Sequence, residues 1–196
     1  MTLMMERPKT IRPTRRTQFE ELCGVLEGLD VPDGYRAEIV GEGIFVSPWS
    51  KGTYRPIMRS IVRQLTGHEP EGHVVDTAPF LFEFPGQSRA FGPDVHVSDE
   101  QATNIDSTRL PGDALSLVAE LTSTATASVD RADKVERYGK AGVPVYVLVD
   151  MLEATVTVYS SPGEKGYERH TEIKFGDRVD IPAPFECELD TADWEA

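Results

Sequence analysis

Long hydrophobic runs are missing from this chain. None approaches the roughly 18 consecutive apolar residues of a membrane-spanning helix, so no membrane partner is expected. Cysteine is scarce: Cys23 and Cys187 lie far apart and match no metal-ligand spacing, which points to free thiols in a reducing cytoplasm. The four histidines show no zinc spacing, and of them only His96 lies near the centre identified below. Nucleophile motifs built on Ser or Cys, Gly-x-Ser-x-Gly elbows and Gly-rich phosphate loops are all absent, which removes the commonest covalent-hydrolase and nucleotide-binding designs.

Base is also in short supply, with 20 Lys and Arg against 33 Asp and Glu, a net charge of −13. That balance opposes a non-specific grip on nucleic acid but leaves room for a local basic groove, because the charge is uneven. The opening MTLMMERPKTIRPTRR is basic and lacks the apolar core of a secretion signal, while the stretch from Asp177 to Ala196 is strongly acidic. A length of 196 residues, 39% of them hydrophobic, suits one ordinary domain. The expected organisation is a basic tail over 1–16, one domain over 17–190 and an acidic tail over 191–196.

Periodicity supplies the elements. TQFEELCGVLEGL has helical spacing, with Thr17 as N-cap and Glu20 completing a capping box. AEIVGEGIFVSP reads as two strands folded at Gly41–Gly43. RPIMRSIVRQL sets Ile57, Ile61 and Leu65 along one helical stripe. HVVDTAPFLFEFP gives one or two strands around Pro79, and GPDVHVS another. The segment 101–114 reads as a loop with at most one helical turn. LSLVAELTS and VPVYVLVDM are apolar on both faces, as central strands are. Between these two, Asp130 and Asp133 read as a capping box that opens a helix to Lys140. ATVTVYSS should pair with VPVYVLVDM as a hairpin, and this β-prone stretch offers an edge along which two copies could pair. The class is α/β or α+β, a mixed sheet flanked by helices.

Two acids stand out. Asp94 and Glu120 each sit inside a short apolar run, and a buried carboxylate is costly without a partner or a metal. On adjacent strands they would converge on a hard, oxygen-seeking cation such as Mg²⁺ or Mn²⁺, and a lysine on the following helix, Lys134, would orient an attacking water. The blander alternative pairs Glu120 with Lys134 or Arg137, leaves Asp94 as a turn residue, and makes Asp130 an N-cap and Asp150 a turn acid. Lys134, Arg137, Tyr138 and Ala141 share one helical face, and the tyrosine ring suggests that it packs inward. Glu38, between Ala37 and Ile39, is a candidate third acid; Glu42, between two glycines, is expected to be exposed.

In their order, AEIVGEGIFVSP, PDV at 93–95, VAELTS at 118–123, DRADKVERY at 130–138 and AGVPVYVLVD at 141–150 resemble the Uma2 family of bacterial endonucleases, within the PD-(D/E)XK, restriction-endonuclease-like superfamily. The resemblance covers about Tyr35 to Ser160. It implies a restriction-endonuclease-like core and Mg²⁺- or Mn²⁺-dependent cleavage of nucleic acid, DNA first, by a cytoplasmic and dimer-forming protein. Asp94 matches the motif aspartate and Glu120 its second acid; these two and the Leu121 carbonyl would hold the metal. Thr122 stands where the motif has lysine, and Lys134 takes that role from the helix. Glu38, Thr122 and Tyr138 are accessory candidates. The alternative is a nuclease-like binding or scaffolding module without turnover.

Overall fold

The computed structural model describes residues 17–77 and 79–196. The basic tail expected over 1–16 lies outside the described residues. Glu20 N donates to Thr17 Oγ1 at 3.2 Å and Thr17 N to Glu20 Oε2 at 2.6 Å, so the capping box opens helix α1 (Gln18–Glu27) as its sequence predicts. Phe19 and Cys23, four residues apart, bury one face of α1 against Ile39 and Ala90. The chain then folds into β1 (Tyr35–Val40) and β2 (Gly43–Pro48), joined at Gly41, whose φ of 61° favours glycine; Glu42 at this turn is exposed.

Helix α2 (Arg55–Leu65) follows, with Pro56 in its first turn, where a missing N–H costs no helical hydrogen bond. After it come β3 (His73–Thr77), β4 (Leu81–Phe84), β5 (Arg89–Phe91), β6 (Val95–Asp99), the single turn α3 (Glu100–Thr103), β7 (Arg109–Pro111) and β8 (Leu115–Leu121). A π-helical stretch, Val129–Lys134, runs into α4 (Val135–Lys140). The chain ends with β9 (Val145–Asp150), β10 (Thr155–Gly163), β11 (Gly166–Lys174), β12 (Arg178–Ile181) and β13 (Cys187–Asp190).

The fold is a mixed α+β one. A six-stranded sheet in the order β11-β10-β9-β8-β6-β3 is its backbone, and a five-stranded sheet, β2-β1-β5-β4-β7, packs beside it. Only β8 and β9 run parallel in the larger sheet, as the intervening helix requires. Alternation divides β8: Leu117, Ala119 and Leu121 face a core shared with Ile57, Ile61 and Leu65 of α2. Val118 faces a second core with Phe82, Phe91, Tyr138 and Tyr146, and Glu120 follows it in register on that side.

Three expectations need correction. β7 lies inside the segment read as a loop; at three residues it is too short for periodicity to register. The β9–β10 hairpin forms, but both strands are paired on both sides, so the stretch offers no edge for a second copy. The acidic C-terminus is docked: Thr191 is fully buried, and Trp194 packs edge-on against Phe175 at 5.7 Å. Burying an indole outweighs the pull of the neighbouring acids toward water. No helix among the described residues is long and apolar enough to cross a membrane.

Candidate active site

The ends of β6 and β8 meet where the two sheets approach one another. Asp94 immediately precedes β6 rather than lying within it, and Val95 pairs with Ala119 of antiparallel β8. Asp94 Oδ2 therefore reaches the next part of β8 and accepts a hydrogen bond from Leu121 N at 2.9 Å. Its Oδ1 accepts from Ser50 Oγ at 2.6 Å and from Arg36 Nη1 at 3.4 Å. The aspartate is held from three directions and is 2% exposed.

Glu120 is 1% exposed. Its Oε1 accepts from Lys134 Nζ at 2.8 Å and from the Tyr138 hydroxyl at 3.1 Å, whereas Oε2 has no hydrogen-bond partner and lies 3.9 Å from Arg36 Nη2. Lys134 is equally buried and central. It also lies 3.3 Å from Glu38 Oε1 and 3.2 Å from Asp130 Oδ1, with its ammonium 5.6 Å from the centre of the Phe91 ring. Glu38 enters from β1, its Oε1 fixed by Gly92 N at 2.7 Å and its Oε2 without a partner. Four buried carboxylates (Glu38, Asp94, Glu120 and Asp130) thus face two buried cations, Arg36 and Lys134.

The electrostatics follow from that imbalance. Burial, reinforced by Asp130 and Asp94, outweighs Lys134 and Arg36 and pushes the Glu120 carboxyl up to about 8. Asp130 is also raised, burial again being the largest cause. Burial would raise Glu38 too, but Lys134, Arg36 and the Gly92 N–H together hold it below the ordinary carboxylate value. For Lys134, burial opposes the charge, yet Glu120, Glu38 and Asp130 prevail and raise it above the ordinary lysine value. The three carboxylates around it therefore favour the ammonium form of Lys134.

The helix that delivers Lys134 begins earlier than its sequence suggests. Ser123 and Thr126 start the turns: Ser123 N donates to Thr126 Oγ1, and Ala127 N to the Ser123 carbonyl. Asp130 is consequently not an N-cap. It is a buried interior residue one turn from Lys134, and its carbonyl accepts from the Tyr146 hydroxyl at 3.0 Å. Wide π turns are frequent at functional sites, and this one holds both Asp130 and Lys134. Gly139 lets α4 press against the sheet, since a Cβ there would lie 2.5 Å from the backbone of Gly166.

The structure separates the remaining candidates. Tyr138 belongs to the cluster through its hydroxyl. Arg137, on the same helical face by sequence, turns instead to Asp133 and Glu136, so Glu120 pairs with Lys134 alone on that helix. Thr122 is fully buried, but its hydroxyl donates to Asp150 Oδ1 at 3.3 Å and makes no contact with Glu120, Asp94 or Glu38. Asp150 is the turn acid its position suggests, accepting from Leu152 N and Glu153 N. His96 packs edge-on against Phe80 and Phe82 and forms no hydrogen bond or ion pair with the acids. Burial lowers its ring to about 4 and keeps it neutral. Sequence reasoning missed Arg36 and Ser50, whose contacts with Asp94 are made only across the fold.

Among the described residues, no three His, Cys, Asp or Glu side chains cluster tightly enough to cage a metal by themselves. Mg²⁺ does not require that, since it commonly keeps several waters and takes one or two carboxylates. The oxygen-only donor set and the partnerless Oε2 atoms of Glu38 and Glu120 fit such an ion.

The chain is thus a mixed α+β protein with buried acids at the ends of two adjacent strands, Asp94 bridged to Glu120 by Arg36, and Glu120 joined by Lys134 from the following helix. The family model for Uma2, described as "Putative restriction endonuclease", matches residues 16–192, and the chain belongs to that family. It is similar in fold to the crystal structure of a "putative nuclease belonging to DUF820" from Anabaena variabilis, with a TM-score of 0.61 at 16% identity, over 80% of this chain and 87% of that one. No curated protein matches the chain.

Proposed function

We propose that the chain is a metal-dependent endonuclease that hydrolyses phosphodiester bonds of nucleic acid, DNA foremost. The observation that carries this reading is the excess of buried carboxylate over buried cation, with carboxylate oxygens left without partners. Such a deficit is costly in a protein interior, and one divalent ion would neutralise it. Asp94 and Glu120, with the Leu121 carbonyl, would hold Mg²⁺ or Mn²⁺. Bound there, the ion would polarise a phosphoryl oxygen and acidify a coordinated water. Lys134, kept cationic by its carboxylate neighbours, would orient the attacking water and offset charge developing on phosphate. Tyr138 and Lys134 fix Glu120 Oε1, so the free Oε2 is presented in one orientation. Glu38 and Asp130 hold the lysine in place. The Leu121 N–H and Ser50 do the same for Asp94.

A binding module without turnover has one observation in its favour: Lys134 is engaged by three carboxylates. A cleavage assay decides between the two. Single- and double-stranded DNA and RNA are incubated with Mg²⁺, Mn²⁺ or EDTA, beside a folded Glu120→Ala control. Metal-dependent cutting lost in that variant supports the nuclease. Cutting equal to that of the control, with binding intact, supports the module.

A further inference from the structure

Just over half of the bases among the described residues are neutralised where they stand: Arg36, Arg89, Arg109, Arg131, Lys134, Arg137, Lys140 and Arg178 all contact carboxylates. Lys51, Arg55, Arg59 and Arg63 break the pattern. All four are exposed, none forms an ion pair among the described residues, and they recur at every fourth position. On α2 the three arginines lie opposite the buried stripe of Ile57, Ile61 and Leu65. The remaining described bases without an acid partner, Lys165, Arg169 and Lys174, lie at the β10–β11 hairpin, on another part of the chain.

Helix stability does not account for the stripe. The positive end of a helix macrodipole favours acids in the first turn, yet α2 has none there and carries Arg55 instead, just after Lys51. Only Arg63, in the last turn, suits the dipole. The arrangement concentrates positive potential at the end of α2 that adjoins the acidic cluster. Ser50, next to Lys51, donates to Asp94, and the charge of Asp94 is felt at Tyr54. From that end Arg55, Arg59 and Arg63 extend over about 12 Å at 1.5 Å per residue. Alongside Arg59 and Arg63 runs an open groove of about 720 Å³, whose acids Asp76 and Asp193 pair with neither arginine.

From this geometry we infer that Lys51, Arg55, Arg59 and Arg63 form a phosphate track that seats the backbone of the substrate strand and leads it to the Asp94–Glu120 centre. The inference rests on the nuclease reading and adds where the polymer lies. It also accounts for nucleic-acid binding by a protein of net charge −13, because on the described surface contact is concentrated on one strip of unpaired bases. Recognition by phosphate alone carries no base preference.

The test separates binding from cleavage. Binding of a labelled duplex and of its single strand is measured in EDTA by fluorescence anisotropy over a range of salt. The proteins are the wild type, Arg55→Gln/Arg59→Gln/Arg63→Gln, and a charge-matched control, Lys165→Gln/Arg169→Gln/Lys174→Gln. Glutamine keeps helix propensity near that of arginine, and thermal unfolding confirms that each variant is folded. Three lost phosphate contacts should flatten the plot of log affinity against log salt by roughly 2.7 for duplex or 2.1 for single strand, with the control close to wild type. Equal flattening in both variants would reduce the effect to net charge and overturn the track. So would an unchanged slope in the α2 variant, or a wild type that does not bind at low salt. Loss of binding to phosphatidylserine vesicles with nucleic-acid binding intact would assign the stripe to a membrane surface and overturn it as well. Metal-dependent cleavage is read separately: cutting with an unchanged slope retains the nuclease and removes the track, whereas a flattened slope without cutting does the reverse.

Discussion

Lys134 Nζ stands 2.8 Å from Glu120 Oε1, joining a helix to a strand fourteen residues earlier inside a region closed to solvent. The pair is not isolated, because Glu38 and Asp130 compete for the same ammonium. Removing the lysine would leave four buried carboxylates, Glu38, Asp94, Glu120 and Asp130, with only Arg36 nearby. Lys134→Met is expected to cost about 3–5 kcal/mol, the usual penalty for breaking a buried pair from one side. Urea denaturation at pH 8 measures it, and a loss below about 1 kcal/mol would show that water reaches the cluster.

Stability should depend on pH through Glu120. Its carboxyl lies near 4.5 when unfolded and is pushed to about 8 in the folded chain. Between these values the folded state keeps a proton that the unfolded state has released. Metal-free stability therefore falls as pH rises from about 5 to about 8 and levels off above that. Glu38, held below its ordinary value, acts in the opposite sense and only at lower pH. Melting temperatures in EDTA at pH 5, 6.5 and 8 should decline in the wild type and flatten in Glu120→Gln. A rise toward pH 8 would contradict the assignment. Metal affinity should run the other way, strengthening toward pH 8 as the competing proton leaves.

Arg36 lies between Asp94 and Glu120, where added positive charge is most needed. Arg36→Met should destabilise the metal-free protein and increase the gain in melting temperature on adding Mg²⁺, because the ion no longer competes with a guanidinium. Differential scanning fluorimetry with and without excess Mg²⁺ gives both quantities, since an ion that binds only the folded state raises its melting temperature. An equal Mg²⁺ gain in wild type and variant would place the ion elsewhere.

Tyr138→Phe keeps a ring packed against Phe84, Phe91 and Tyr146 but removes the hydroxyl that donates to Glu120. Above pH 8, where Glu120 is ionised, about 1.5–3 kcal/mol should be lost, as for a hydrogen bond to a charged group, and about 0.5–1.5 kcal/mol below it. Cleavage should fall with little change in nucleic-acid affinity, since the tyrosine orients the glutamate and does not reach the surface. A weaker affinity at unchanged turnover would give the hydroxyl a different role.

Gly139→Ala tests how the lysine helix is seated. The added methyl would meet the Gly166 backbone at 2.5–2.7 Å, so α4 has to move away from β11. Overpacking of this kind costs about 1–3 kcal/mol. Cleavage should drop further than stability alone explains, because Lys134 and Tyr138 move with the helix. Activity at the wild-type level in the folded variant would show that the seat tolerates the shift.

Much of this fold was readable because local rules and tertiary context agree. The Thr17–Glu20 box, the stripe of α2 and the apolar β8 and β9 formed as their patterns predict. Asp94, Glu120 and Glu38 stand out in the sequence as charges in apolar surroundings, Lys134 only by its place on the following helix, and the fold brings Lys134 onto Glu120 and Glu38. Asp130 was misread because Asp133, three residues on, imitates a capping box, while the true start at Ser123 and Thr126 is set by turns that periodicity does not encode. Arg36 gave no signal at all. An arginine at the start of a strand reads as an exposed edge residue until Gly92 and Asp94, more than fifty positions later, close over it.

The parallel pairing of β8 with β9 has a consequence for how the centre comes into being. A parallel pair cannot form until its crossover is in place, and that crossover is the segment carrying Asp130, Lys134 and Tyr138. Glu38 and Asp94 arrive from remote parts of the chain through contacts of long sequence separation, which are slow to close. The cluster draws on residues from Arg36 to Tyr138, so a chain synthesised only as far as β6 would bury Glu38 and Asp94 without the lysine and glutamate that complete it.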